Sequence, residues 1–149
     1  MRHPYAQRFQ DLIAYRKARE LSLELFRASK AFPREEVYSL TDQIRRASRS
    51  IGAHIAEAWG KRKYARHFAS KLTDADSEQL ETQHWIETAQ DCGYLDEGSA
   101  SRSKGLCEEL GKILGVMIFK AETFCGGSDG RVREDPAAYG LSVPSRKKA

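Results

Sequence analysis

Glu81-Thr82-Gln83-His84 sets a carboxylate and an imidazole three residues apart, the spacing with which helical bundles aim two ligands at a di-metal centre. Such a centre needs a second Glu-x-x-His and further carboxylates, and none of His3, His54 and His67 follows a Glu at that distance. We therefore expect no metal and no cofactor. Ser50 and His54 are i,i+4 neighbours on a helix, yet no nucleophile elbow or oxyanion loop accompanies them. Gly-x-x-x-x-Gly-Lys and Gly-x-Gly-x-x-Gly phosphate loops are absent as well. The expectation is a non-enzymatic protein. The densest chemistry is cationic: Arg45, Arg46 and Arg49, then Lys61, Arg62, Lys63 and Arg66, with His54, Tyr64 and His67 interleaved. Guanidinium groups pair bidentately with phosphate, so this series is the candidate nucleic-acid-binding surface.

Four helical segments must position these residues. Pro33, Gly60, Gly93 and Gly126-Gly127 mark the breaks between segments of about 8–31, 40–59, 64–91 and 101–124. In the first, Ala14, Ala18, Leu21, Leu25, Ala28 and Phe32 share one arc, while Leu12, Tyr15, Leu23 and Phe26 form another. That helix has two faces to bury. The second has the cleanest stripe, Ile44, Ala47, Ser48, Ile51, Ile55, Ala58 and Trp59, with Ser39 or Thr41 as its cap. Its arginines lie roughly 100–200° from the stripe and point out of the core. The third aligns Phe68, Leu72, Ala75 and Ile86, interrupted by Gln79 and Thr82.

The fourth segment aligns Leu106, Leu110, Ile113, Met117, Ala121 and Phe124. Val116, Ile118 and Phe119 fall outside that stripe, and Gly111 and Gly115 share the opposite side. Excess apolar surface beside small residues makes these five the candidate oligomer interface. No segment alternates with period two for long enough to argue a strand. Short connections make successive helices antiparallel, which predicts an all-α, up-down-up-down four-helix bundle over residues 1–124. Residues 125–149, with Gly126-Gly127-Ser128-Asp129-Gly130, Pro136, Pro144 and Arg146-Lys147-Lys148, read as a flexible C-terminal tail.

Composition narrows the setting. The 149 residues suit one domain, and 31% charged with 40% hydrophobic residues is globular. The longest run of large apolar side chains, Val116 to Phe119, is far too short to span a bilayer, and the N-terminus lacks the pattern of a secretory signal. We expect a cytoplasmic protein. Cys92, Cys107 and Cys125 fit neither a disulfide framework nor paired zinc ligands, so we expect reduced thiols. The net charge of +4 conceals a split: residues 1–67 carry 15 basic and 7 acidic side chains, residues 68–149 carry 10 and 14. The same split has a second explanation. Asp74, Asp76, Glu78 and Glu81 of the third helix could neutralise the arginines of the second, within or between subunits.

Phe32-Pro33, Glu36, Tyr38, Leu40-Thr41, Gln43-Ile44-Arg45-Arg46-Ala47, Ser50-Ile51 and Ile55-Ala56-Glu57 together resemble the signature of the four-helix-bundle proteins encoded by intervening sequences in bacterial 23S ribosomal RNA genes. Phe9, Asp11-Leu12, Lys17-Ala18 and Leu21 match that family's opening helix, and Ser77, Glu78, Leu80-Glu81-Thr82 and Gly93-Tyr94-Leu95 its third helix and following turn. The chain departs from the pattern at His54, where the family usually has Asn, at Ala58, where it has Gly, and at Asp76, where it has Gly. The resemblance implies an antiparallel bundle in a ring-like homopentamer. It also implies a likeness in fold to the accessory protein of diversity-generating retroelements, a basic pentamer that binds nucleic acid. The expected function is thus an oligomeric accessory protein that binds RNA or DNA through the basic surface. The alternative is a protein-interaction scaffold whose charges serve assembly.

Overall fold

Each long amphipathic segment becomes a helix in the computed structural model, which describes residues 5–126 and 130–142. The helices are α1 (Ile13–Ser29), α2 (Leu40–Gly60), α3 (Ala65–Asp91) and α4 (Glu97–Phe119), followed by the single turn α5 (Ala121–Phe124). Pairwise packing joins α1 to α2 and α4, and α3 to α2 and α4. This is the four-cornered bundle expected from the short connections.

The helix ends show why the chain turns where it does. A 3₁₀ turn at Phe9–Asp11 precedes α1, so the helix starts later than its periodicity suggests. Ser39 stands at the N-cap of α2, as one of the two expected candidates, but its hydroxyl makes no capping bond to the helix, and Thr41 lies inside the first turn. The Glu36 carboxylate accepts the Leu40 N–H at 3.1 Å and the Ser39 hydroxyl at 2.8 Å, and these bonds hold its pKa below the ordinary carboxylate value. At the end of α3, Gly93 sits at φ +77°, where a side chain would be strained. The Tyr94 N–H reaches the Ala89 carbonyl at 2.9 Å and the Gly93 N–H the Gln90 carbonyl at 3.0 Å, a Schellman closure that stops the helix. Asp96 then accepts the Ser99 N–H at 2.7 Å and opens α4 four residues before the expected Ser101. That helix ends at Phe119, with Lys120 breaking the run that the sequence carries on to Phe124.

The core is filled by the predicted stripes. Ile44, Ile51, Ile55, Phe68, Leu72, Ala75, Ile86, Leu110, Ile113 and Met117 are all fully buried. The polar interruption in α3 is buried too and is satisfied locally. The Thr82 hydroxyl donates to the Glu78 carbonyl at 2.8 Å; Gln79 donates to Asp76 at 3.0 Å and accepts from Gln83 at 2.8 Å. The second arc of α1 behaves differently. Leu12 is buried, but Tyr15 and Phe26 are half-buried and Leu23 is 46% exposed.

The described part of the expected tail, residues 130–142, is packed against the bundle. Strand β2 (Val132–Arg133) pairs antiparallel with β1 (Tyr5–Ala6), Val132 is fully buried, and Tyr139 stacks on Phe124 with ring centroids 6.0 Å apart. Both Glu134 oxygens accept the Ile13 N–H, at 3.0 and 3.1 Å, capping α1 from the far end of the chain. Two-residue strands are too short to leave a period in the sequence, and one buried Val plus one buried Tyr anchor the segment among Gly and Pro. Ser128, Asp129, Pro144 and the Arg146-Lys147-Lys148 cluster lie outside the described residues. No described helix is long and apolar enough to cross a membrane.

Candidate nucleic-acid interface

The outward arc of α2 carries Arg45, Arg46 and Arg49 as its spacing predicts, with Arg46 and Arg49 exposed and Arg45 half-buried. Arg45 is held in place: its Nε donates to Ser29 Oγ at 2.8 Å, and its guanidinium lies 4.9 Å from the Phe26 ring centre. Arg49 approaches the same ring at 5.5 Å and Lys30 at 4.8 Å. Three cations therefore surround one aromatic ring of α1. The sequence places Lys30 and Phe26 at i,i+4 on α1, but only the packing of α1 on α2 brings them to the arginines.

The elbow between α2 and α3 forms the second basic group. Lys61, Lys63 and Arg66 are exposed, and Arg62 is half-buried. The Arg62 guanidinium stacks on Trp59 at 4.1 Å and donates from Nη1 to the Trp59 carbonyl at 2.9 Å. Lys63 stands 5.8 Å from the Tyr64 ring, and that ring, 58% exposed, lies 5.4 Å from His67. The β1–β2 ribbon brings Arg131 to the same end of the bundle. With Tyr5, Gln7, Trp59, Arg62 and Gly130 it lines a recess of about 330 Å³. Arg131 lies within the expected tail, so linear spacing gives no sign that it joins the elbow.

The carboxylates of α3 do not meet these cations. Among the described residues, none of Arg45, Arg46, Arg49, Lys61, Arg62, Lys63 and Arg66 forms a salt bridge. The pairing across α2 and α3 runs in the opposite sense: Glu57 of α2 receives Lys71 of α3 at 2.6 Å, and Asp74 lies 3.5 Å from the same ammonium. The hydrogen bond from Lys71 holds the Glu57 carboxyl below its ordinary pKa, and the Glu57 contact raises that of Lys71. His54 lies 3.8 Å from both Glu57 and Glu78. Burial first, and then the neighbouring Glu81, push the Glu78 carboxyl above its ordinary value. Asp76 is engaged with Gln79. Neutralisation of the arginines by α3 of the same chain is thereby excluded among the described residues.

Glu81 and His84 are both exposed, His84 lying edge-on to Trp85 at 4.7 Å, and among the described residues no three His, Cys, Asp or Glu side chains form a metal-ligating group. Ser50 donates to the Arg46 carbonyl at 2.7 Å and so is occupied by its own helix.

The five α4 residues expected at an oligomer interface divide. Phe119 is 88% exposed and Gly115 faces open space. Val116 and Ile118 are half-buried against the bundle core. Gly111 has a reason within its own chain, since a Cβ there would stand 2.9 Å from Gln79 Nε2.

Comparison with known proteins agrees with this architecture. The family described as 23S rRNA-intervening sequence protein matches residues 10–116. Among solved structures, a protein of unknown function from the S23 ribosomal protein family of Bacteroides thetaiotaomicron superposes with a TM-score of 0.65 at 26% identity, covering 71% of this chain and 98% of that one. No curated protein matches the chain.

Proposed function

The chain belongs to the 23S rRNA-intervening sequence protein family, and from that premise we propose that it is a non-enzymatic, oligomeric accessory protein that binds nucleic acid through the α2–α3 elbow. Lys61, Arg62, Lys63 and Arg66, together with the exposed Arg46, contact phosphate; Arg62 is pre-set by Trp59, and Tyr64 offers an exposed ring beside them. The observation that carries the reading is the absence of any carboxylate partner for these cations among the described residues. Exposed cations left unpaired by their own fold are free to displace counterions from a polyanion. Repetition around an assembly, a homopentamer on the family resemblance, multiplies weak contacts into useful avidity.

The test is gel retardation of structured ribosomal RNA and of duplex DNA at low salt, with wild type and a variant carrying Lys61, Arg62, Lys63 and Arg66 each changed to Glu. Retardation by wild type and its loss in the variant support the reading; no retardation by either, or equal binding by both, overturns it. The second reading, a scaffold for another protein, is favoured by the nearly bare Phe119 and the exposed Leu23. A protein partner captured without nucleic acid, on an assembly insensitive to salt, would support that reading instead.

A further inference from the structure

Tyr64 stands inside the run of elbow cations, between Lys63 and Arg66. Among the described residues three aromatic rings are largely bare, Tyr38, Tyr64 and Phe119, and Tyr64 is the one with a cation at its ring, Lys63 at 5.8 Å. Neither packing nor capping accounts for that ring. Tyr64 is not among the side chains packed on the core, and it occupies the N-cap of α3 without making a capping bond. His67 meets the ring at 56°, tilted rather than stacked, and with Tyr64 58% exposed an aromatic face stays open to a planar ligand. Trp59 differs, being half-buried against the core with the Arg62 guanidinium over its ring at 4.1 Å.

The carboxylates at this end leave the cations in excess. Asp11 pairs with Arg8, Glu57 with Lys71, and Glu134 accepts the Ile13 N–H and the Tyr139 hydroxyl. Glu122, exposed on α5, is felt at Cys125 together with Arg62, and its charge stands alone against Lys61, Arg62, Lys63 and Arg66. A nucleic acid therefore meets two different features side by side, cations for phosphate and an open ring. A duplex can use only the first, because the faces of its internal bases are taken by their stacking neighbours. An unpaired base has a free face, and stacking on an aromatic ring accepts any base.

We infer that the elbow selects unpaired nucleotides, one base stacking on Tyr64 while Lys61, Lys63 and Arg66 hold the flanking phosphates. The inference rests on the proposed nucleic-acid binding and adds to it the class of strand that is bound. The two contributions pull in opposite directions. Phosphate contacts alone favour a duplex, whose charge density is higher, whereas a stacked base favours a single strand whatever its sequence. Structured RNA is engaged at its loops and bulges, where bases are unstacked.

The test compares affinities, at one near-physiological salt concentration, for an unstructured RNA strand of about 16 nucleotides, the upper end of common site sizes, and for the duplex it forms with its complement. Circular dichroism shows that each variant is folded. Wild type is expected to bind the strand more tightly than the duplex. Tyr64→Ala should weaken strand binding about 5- to 100-fold while leaving duplex binding and the salt slope on the strand unchanged, because no phosphate contact is removed. Tyr64→Phe should bind as wild type does. So should Tyr38→Ala, which removes an even barer ring at the other end of α2, about 30 Å away. Equal or weaker affinity of wild type for the strand, or a Tyr64→Ala protein that binds the strand as wild type does, overturns the inference and leaves the elbow a surface for phosphate only. A Tyr64→Ala loss that falls equally on the duplex, or that flattens the salt slope, also overturns it, since the ring would then serve only to position the cations. Binding of neither nucleic acid by wild type overturns the proposed function itself.

Discussion

Two glycines of α4 make opposite predictions for one substitution. In a helix interior, Ala is favoured over Gly by about 1 kcal/mol, because Gly loses more backbone freedom on folding. At Gly105 nothing lies within 4 Å of an added Cβ, so Gly105→Ala should stabilise the chain by about 0.5–1 kcal/mol. At Gly111 the new carbon would stand 2.9 Å from Gln79 Nε2, inside contact distance. Gln79 is only 4% exposed and its amide is engaged with Asp76 and Gln83, so withdrawal breaks one or both bonds at about 1 kcal/mol each. That loss cancels or exceeds the propensity gain, and Gly111→Ala is expected to range from neutral to about 1 kcal/mol destabilising. Urea denaturation of the three proteins at one protein concentration measures the gap directly. The expectation is that the two variants differ by at least about 1 kcal/mol, with Gly105→Ala above wild type. If Gly111→Ala is stabilised as much as Gly105→Ala, the buried Gln79 contact and the account of why α3 and α4 meet at a glycine are wrong.

Glu134→Ala should cost about 1–2 kcal/mol, the usual loss for a helix cap, because its carboxylate accepts both the Ile13 N–H and the Tyr139 hydroxyl. The same variant should be cut faster by trypsin after Arg131 and Arg133; unchanged urea midpoint and cleavage rate would show that the segment is not anchored there. Glu78 holds its proton more tightly in the folded chain than in the unfolded one, so its contribution to stability falls as pH rises through and above the ordinary carboxylate range. Glu78→Gln should therefore gain on wild type in thermal stability between about pH 4 and pH 7, and parallel curves would contradict the burial of Glu78 against Glu81. Burial pushes the Cys107 thiol to about 12 and that of Cys125 to about 11, whereas Cys92 is exposed. One thiol per folded chain should react promptly with an aromatic disulfide reagent near pH 8, and Cys92→Ser should remove it; prompt reaction of two or three would refute that burial.

Most of the bundle was legible because helical periodicity reports burial. Ile44, Ile51 and Ile55 repeat at the helical interval and are buried together; Gly93 marks a turn that only a left-handed residue closes. The ends were less legible because competing groups decide them. At the Ser39 N-cap of α2 the acceptor for the first helical N–H is the Glu36 carboxylate and not the Ser39 hydroxyl, and Asp96 opens α4 ahead of its apolar stripe. The basic residues could be named from their spacing, but their freedom from carboxylates could not. That depends on Glu57 and Lys71 forming the cross-helix pair in the sense opposite to the one charge counting suggested. Phe26 with Arg45 and Arg49, and the Trp59–Arg62 pair with Arg131, are tertiary groupings whose members lie on different elements and leave no linear trace. Val132 and Tyr139 were hidden for another reason: two isolated apolar residues in a Gly- and Pro-containing stretch look the same whether they anchor it or not.

The central claim, that the elbow cations meet phosphate, is tested most directly by the salt dependence of nucleic-acid binding. Each neutralised phosphate contributes about 0.9 to the slope of log K against log salt on duplex DNA and about 0.7 on a single strand. With Lys61, Arg62, Lys63 and Arg66 all engaged, wild type should bind with a steep negative slope, and the variant with all four changed to Glu should lose about 3–4 from it on duplex DNA for each chain in contact. Equal slopes for the two proteins, or a wild-type slope near zero, would contradict the account.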